Sequence, residues 1–221
     1  ILELLETNPE KFSPNVILRP LYQEVILPNL CYIGGGGEIA YWLELKTTFE
    51  AINCAYPILL LRNSAILVTK KQSEKIEKLQ LNWEQLFLKQ EELINQKVKQ
   101  IAEIPIDFSA QKTALKKQFS ELYAIANQTD KSFLGAVKAQ ETKQIKGLEN
   151  LEKRFLKAQK KKYQSELERI INLQNELFPN QSLQERQTNF SEFYLEVGIT
   201  LISNLFDELE PLDNNFTILT L

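Results

Sequence analysis

Residues 74–178 constrain the fold most, because they consist mainly of Lys, Glu, Gln and Leu, the composition of long exposed helices with a narrow apolar seam. Mostly apolar seam positions recur there in alternating steps of four and three. They are Leu115, Phe119, Leu122, Ala126, Thr129 and Phe133, and again Leu148, Leu151, Phe155, Ala158 and Lys162. We predict an antiparallel helical coiled coil. A single helix over 131–178 would be about 70 Å long, so shorter helices, a second copy of the chain, or both must cover its seam.

An α/β portion precedes this region. Residues 17–27 have one apolar helical face and end at Pro28, and residues 30–33 read as a buried strand followed by four glycines. Apolar residues at helical spacing follow over 39–52, and the apolar runs 57–61 and 65–69 predict two short strands or one broken strand. The pattern therefore predicts a strand, a glycine-rich turn and a helix.

The tail, residues 182–221, returns to mixed character. It has a wide apolar helical face, and residues 216–221 alternate like a strand, so we expect the tail to dock on the α/β portion. We predict an α+β, mainly α fold with three parts, 1–72, 73–180 and 181–221. The chain contains no methionine and opens in helical register at Ile1, so we expect it to be a piece of a longer protein.

Composition excludes several function classes. A net charge of -3 provides no general attraction for nucleic acid, and we interpret the lysine-rich run 153–162 as a solvated helix face. The absence of histidine excludes a Ser/His or Cys/His nucleophile pair within the chain. Cys31 and Cys54 form no CxxC pair, so we expect buried thiols and no metal site. No apolar run approaches the ~18 residues of a membrane span, and we expect a cytoplasmic location.

The run Gly34, Gly35, Gly36, Gly37 and Glu38 is the sharpest candidate site. Glycines between a strand and a helix allow backbone amides to converge on an anion. The run matches neither a P-loop nor GxGxxG. Glu38 would fall in the first helical turn, where it competes with a phosphate and better suits an amino group or a hydroxyl. The alternative is a tight turn that needs positive φ.

Two further groups of polar residues have both a functional and a structural interpretation. Arg19 and Gln23 lie one turn apart and can clamp a carboxylate or phosphate, or Arg19 can simply pair with Glu24 or another acidic residue on the surface. Three residues follow a strand end, where α/β folds place ligands, although a polar turn is equally consistent with them: Arg62, Asn63 and Ser64.

Aromatic residues adjoin the glycine run. Tyr41 and Trp42 can line a pocket beside it, and at least one of them is expected to be ordinary core.

Several stretches together resemble one enzyme family. They are residues 15–24 (Asn-Val-Ile-Leu-Arg-Pro-Leu-Tyr-Gln-Glu), 32–42 (Tyr-Ile-Gly-Gly-Gly-Gly-Glu-Ile-Ala-Tyr-Trp), 57–64 (Pro-Ile-Leu-Leu-Leu-Arg-Asn-Ser), the lysine-rich coiled coil, and 182–186 (Ser-Leu-Gln-Glu-Arg). Across essentially its whole length, the chain resembles the cysteine ligase family of bacillithiol biosynthesis, BshC. The family usually has proline at position 36 and proline before Arg62.

This resemblance implies an enzyme that forms an amide between cysteine and the amine of glucosaminyl-malate. It also implies carboxylate activation by a nucleotide, ATP or ADP, a Rossmann-like core of which this chain holds the C-terminal part, and a homodimer made by the coiled coil. In such an enzyme Arg19 would hold a carboxylate or phosphate, the glycine amides would hold an anionic group, and Glu38 would orient a hydroxyl or amine. No catalytic residue is assigned.

Two other function classes stay open at this stage. A non-enzymatic coiled-coil dimerisation or scaffold protein would explain the long helices and the missing histidine, but it has no use for a polar pocket beside Trp42. A nucleic-acid-binding coiled coil would show steeply salt-dependent binding.

Overall fold

The fold is described from a computed structural model over residues 1–129 and 131–221. The helices are α1 Leu2–Thr7, α2 Leu18–Ile26, α3 Gly36–Glu44, α4 Lys46–Ala51, α5 Lys70–Lys78, α6 Trp83–Leu86, α7 Gln90–Ile101, α8 Ser109–Ala126, α9 Lys131–Lys162, α10 Gln164–Leu177, α11 Ser191–Val197 and α12 Thr200–Glu208. The strands are β1 Cys31–Gly34, β2 Ile58–Leu61, β3 Ser64–Val68 and β4 Phe216–Thr220. The chain forms two compact units, residues 1–67 with 189–221, and residues 68–188.

The first unit contains two small sheets. Strands β1 and β2 are parallel, with Gly34 opposite Leu61, and β3 pairs with β4. One core cluster lies under β1 and is built around Leu21, Trp42 and Phe49. A second cluster joins Leu67 to the tail through residues of α12 and β4. The predicted α+β, mainly α class is confirmed.

The elements predicted for 17–27 and 30–33 are confirmed as α2 and β1, but β1 is not a buried strand. Alternate residues of a strand face opposite sides, so only one side of β1 meets α3. Ile33 is 62% exposed on the other side. Cys31 is exposed and Cys54 is half-buried, so the prediction of buried thiols is wrong.

The second unit is helical. Helices α8 and α9 form a hairpin closed by Phe119, Ala126 and Val137, while α5 and α7 pack on α10. The prediction of a single helix over 131–178 is wrong, because the helix breaks at Tyr163, with φ -100 and ψ 18. Tyr163 packs instead into a cluster with Val98 and other apolar residues. Shorter helices therefore cover part of the seam, which is one of the arrangements predicted from the sequence.

Local sequence explains where the short helices start. Thr69 Oγ1 accepts a hydrogen bond from the Gln72 amide, and Gln72 Oε1 in turn accepts one from the Thr69 amide. Asn82 and Gln85 repeat this reciprocal arrangement at the start of α6. Such capping boxes satisfy amides that have no partner inside the helix.

No helix within residues 1–129 and 131–221 has both the length and the apolar content needed to cross a lipid bilayer. Over the same residues, no cluster of three or more acidic or thiol side chains is arranged to hold a metal ion.

Candidate functional site

Two segments predicted from the sequence, the glycine run 34–38 and residues 62–64, lie at the carboxyl ends of β1 and β2. The amide of Arg62, one residue beyond β2, donates to the carbonyl of Gly34, the last residue of β1, over 2.9 Å. The glycine run and residues 62–64 therefore leave the sheet side by side. This is the carboxyl end of the strands, where α/β folds commonly bind ligands.

The glycine run begins a helix and does not form a separate turn. Gly35 is the N-cap of α3, with φ -71 and ψ 161, so Gly36 and Gly37 are its first two helical residues. Among the described glycines only Gly198 has positive φ, and the interpretation as a positive-φ turn is wrong. Gly34 is needed for space, because a Cβ there would lie 2.8 Å from Tyr32 Cε1.

Glu38 caps its own helix. Its Oε2 accepts a hydrogen bond from the Gly35 amide over 3.0 Å, as the N3 residue does in a capping box. The carboxylate thus satisfies one amide at the positive end of α3 and places a negative charge there. An incoming phosphate would have to displace that carboxylate, whereas a donor such as an amine could share it.

Arg19 is held by uncharged side chains. Its Nη1 donates to Gln23 Oε1 over 3.1 Å and its Nη2 donates to Tyr41 OH over 2.9 Å. Hydrogen bonds with Tyr32 and Tyr41 raise the pKa of Arg19 above its ordinary value. No carboxylate neutralises the guanidinium in the described part of the chain, so its remaining N–H groups can bind an anionic ligand.

Glu24 is not the partner of Arg19, so the alternative of a surface Arg19–Glu24 pair is wrong. Glu24 is 3% exposed and accepts hydrogen bonds from the Asn29 amide, over 2.8 Å, and from Asn29 Nδ2, over 2.9 Å. Gln23 Nε2 also donates to Glu24 over 3.3 Å. A buried carboxylate therefore orients Gln23, and Gln23 in turn orients Arg19.

Trp42 supports the site from beneath. It is fully buried, and the Tyr32 ring stacks on it at 4.1 Å between centroids and 20° between planes. Its Nε1 is buried with no hydrogen-bond partner in the described structure. The geometry places Trp42 in the core, where it contacts Tyr32, and Tyr32 in turn contacts Arg19.

The segment after β2 has a structural role for at least one residue. Asn63 Nδ2 donates to the carbonyl of Glu210 over 2.8 Å and lies 3.4 Å from that of Asp213. This amide fastens the turn that precedes β4. Arg62 is exposed and Ser64 begins β3.

Sequence reasoning missed Tyr32 and considered Tyr41 only as a pocket wall. Their hydroxyls are what positions Arg19. One signal could have identified Tyr32: in a strand it shares a face with Gly34, two residues on. The contact between Arg19 and Tyr41 spans 22 residues, and no local pattern indicates it.

The chain was compared with known protein families. Residues 65–221 match the model of "Bacillithiol biosynthesis BshC, C-terminal coiled-coil domain". Residues 1–63 match "Bacillithiol biosynthesis BshC, N-terminal Rossmann-like domain". The two matches meet at Ser64, the first residue of β3, close to the start of the helical unit.

Curated relatives carry the same family name. Two proteins named "Putative cysteine ligase BshC", from Christiangramia forsetii and Flavobacterium johnsoniae, are 66% and 63% identical to the chain over its whole length. One from Lysinibacillus sphaericus is 29% identical over 94% of the chain. The chain spans 41%, 42% and 39% of the lengths of these three relatives.

Proposed function

The chain belongs to the BshC family of bacillithiol biosynthesis, and on that premise we propose that it supplies part of the substrate site of a cysteine-adding ligase. The proposed reaction joins the carboxyl carbon of cysteine to the amine nitrogen of glucosaminyl-malate, and the displaced carboxylate oxygen leaves on the phosphate or nucleotide group that activated it. We place the protein in the cytoplasm, where both small molecules would be at hand. The coiled coil serves the same enzyme as its assembly domain.

One observation carries this proposal: Arg19 is an oriented cation with no carboxylate partner among the described residues. Both proposed substrates bear carboxylates, and a guanidinium fixed by Gln23 and Tyr41 is already oriented for binding one of them. A preoriented donor costs little reorganisation when the ligand arrives. Glu38, at the start of α3, is placed to accept a hydrogen bond from a substrate amine or hydroxyl.

A nucleotide, ATP or ADP, is the activator that the family resemblance implies, since it would make the carboxylate oxygen a leaving group. The N-terminus of α3 does not fit its phosphates, because the Glu38 carboxylate already binds the Gly35 amide there. We therefore assign nucleotide binding to the part of the enzyme outside this chain. The exposed apolar side chains of Ile33 and Ile58, at 62% and 72%, suit a sheet that continues there.

A second copy of the chain is the partner we propose for the coiled coil. Several apolar side chains of the hairpin stay exposed, including Ile125 at 56%, Leu151 at 52% and Phe133 at 45%. A helical surface of this kind is buried in many helical dimers. Light scattering on the full-length protein measures the oligomeric state directly.

The test is cysteine addition to glucosaminyl-malate by the full-length protein, followed by mass spectrometry with ATP and with ADP. Arg19→Gln keeps a polar side chain but removes the charge. Losing a charged hydrogen bond of about 1.5–3 kcal/mol lowers kcat/KM by about 10- to 150-fold. Arg154→Gln makes the same change on the exposed surface of α9 and is expected to leave kcat/KM unchanged.

Two results would count against the proposal. If Arg19→Gln and Arg154→Gln behave alike, Arg19 does not hold a substrate carboxylate. If the folded full-length protein forms no product with either nucleotide, the non-enzymatic scaffold is the better interpretation. The exposed hairpin surface is the observation that favours that alternative.

A further inference from the structure

The two helices of the tail carry large apolar side chains that face water. Ile199 is the N-cap of α12, and Ile202 and Phe206 follow it in steps of three and four, so the three lie on one face of the helix. They are 69%, 46% and 85% exposed, and Leu195, on α11, is 87% exposed. These four residues are grouped below as the outer face. Single exposed apolar residues are ordinary, whereas a periodic stripe of large ones marks a binding surface.

The outer face has no role in attaching the tail to its own unit. Leu201 of α12 is fully buried against Leu67 of β3 and Leu219 of β4, and Phe193 and Leu205 pack on the same cluster. No outer-face residue belongs to this cluster. The tail therefore has one apolar side that holds it to the sheet and a second that is left for another contact.

The charges of this segment are all negative. Residues 187–221 contain no lysine and no arginine. Their six carboxylates are exposed, and none forms an ion pair with a residue that the structure describes: Glu192, Glu196, Asp207, Glu208, Glu210 and Asp213. Charge complementarity therefore favours an occupant that places lysine or arginine around an apolar centre.

This charge pattern argues against two occupants. Helices that lie on lipid surfaces carry lysine and arginine beside their apolar face, whereas this segment carries only carboxylates. A second copy docked through the same face would place the acidic segments of the two chains against each other, which is unfavourable.

The lengths of the relatives indicate another occupant. The chain spans only 41% of its relative from Christiangramia forsetii, so an enzyme of that length has more than half of its residues outside this chain. We propose that the outer face is the docking surface for a segment of the same enzyme outside residues 1–221, with apolar side chains at its centre and lysine or arginine at its edge. This inference does not depend on the proposed reaction, since it concerns packing alone.

Photo-crosslinking on the full-length protein tests which segment covers the outer face. Benzoylphenylalanine at position 206 resembles the native phenylalanine and reacts with C–H groups that touch it. Peptide mapping by mass spectrometry is expected to find a crosslink to a peptide outside residues 1–221, in a product of single-chain size. The control is the same probe at position 204, where the native Asn204 is exposed and lies about 200° around α12 from Phe206. It is expected to give no such crosslink.

Two variants of the full-length protein test the apolar and the charged parts separately. Phe206→Ser is expected to lower Tm by at least about 5 °C, while Asn204→Ser leaves Tm unchanged. Asp207→Lys is expected to lower Tm at low salt and less so at high salt, because salt screens exposed charges. Asp207 lies in the last turn of α12, where the helix dipole by itself favours lysine, so a loss of stability there reports the charge of the docked segment.

Several outcomes would overturn the proposal. A crosslinked product of two-chain size would mean that a second copy covers the outer face, and a crosslink within residues 68–188 would mean that the helical unit covers it. No crosslink to protein from position 206, or equal Tm values for Phe206→Ser and Asn204→Ser, would mean that the face is open to solvent. A higher Tm for Asp207→Lys would mean that the docked segment is not basic.

Discussion

Replacing Gly34 with alanine tests whether the site is as tightly built as the geometry indicates. The new Cβ would lie 2.8 Å from Tyr32 Cε1 and 3.2 Å from Ile39 Cδ1, well inside the ~3.5–4.0 Å optimum for carbon atoms. The Tyr32 ring cannot simply retreat, because it stacks on the fully buried Trp42. One of these packed groups must therefore move.

The magnitude follows from two opposing effects. Overpacking of a well-packed region costs about 1–3 kcal/mol, while alanine restricts the unfolded chain and returns about 0.4–1 kcal/mol. Steric strain is the larger effect, so we expect Gly34→Ala to lower the free energy of unfolding by about 1–2 kcal/mol. The displaced Tyr32 would also disturb the position of Arg19.

Gly37→Ala is the matched control. It lies in the first turn of α3, and a Cβ there would meet no atom within 4 Å. Alanine is the better helix former by about 0.5–1 kcal/mol, so this variant is expected to be more stable than the wild-type chain. The same substitution is thus expected to lower the free energy of unfolding at position 34 and to raise it at position 37.

Urea unfolding of the purified chain measures both variants, from the shift of the midpoint at an unchanged slope m. Near-ultraviolet circular dichroism reports on the Tyr32–Trp42 stack at the same time. A Gly34→Ala variant as stable as the Gly37→Ala variant would refute the reasoning. It would mean that Tyr32 moves freely and does not hold Arg19 in place.

Three further predictions concern stability. Gly36→Pro is expected to raise the free energy of unfolding by about 0.4–1 kcal/mol in urea titrations, because position 36 begins α3, where the amide has no intrahelical partner and proline is favoured. Burial lowers the pKa of Lys97 below 10.5, so near pH 10.5 the unfolded chain binds more protons than the folded chain. The free energy of unfolding of the wild-type chain, relative to that of Lys97→Met, should therefore rise as pH approaches 10.5. A pH-independent difference between the two would contradict this. Glu152→Gln should lower Tm at neutral pH, since Lys112 binds Glu152 over 2.6 Å and holds its pKa below 4.5; this difference should fade as pH falls through the lowered pKa.

Local pattern predicted most of the elements of the first unit. The boundaries of α2 and β1 follow from apolar spacing and from Pro28, and both were predicted within about two residues, the usual limit for boundaries. The glycine run was correctly associated with the start of a helix. Its conformation was not predicted. A run of four glycines does not show whether each is needed for an unusual backbone conformation or because a side chain would not fit. The contact with Tyr32 shows that a side chain would not fit at Gly34.

The candidate site was predicted in its residues more than in its geometry. Arg19, Gln23 and Glu38 carry donors and acceptors that any sequence reading would select. Their hydrogen-bond partners depend on how α2 and α3 pack on β1. The bonds between Arg19 and Tyr41 and between Glu38 and the Gly35 amide are therefore known only from the fold.

The sequence by itself determined the mainly helical class, the coiled-coil region, the absence of histidine chemistry and the family resemblance, because these depend on residue types and on spacings within one element. The tertiary structure decided the break at Tyr163, the exposure of Cys31, and the bond from Asn63 to Glu210 across 147 residues. It also brought Gln174 to the carbonyls of Leu86 and Leu88, 88 and 86 residues away in the chain. Such features depend on which distant groups compete for the same space and the same hydrogen bonds, and no local period encodes that competition.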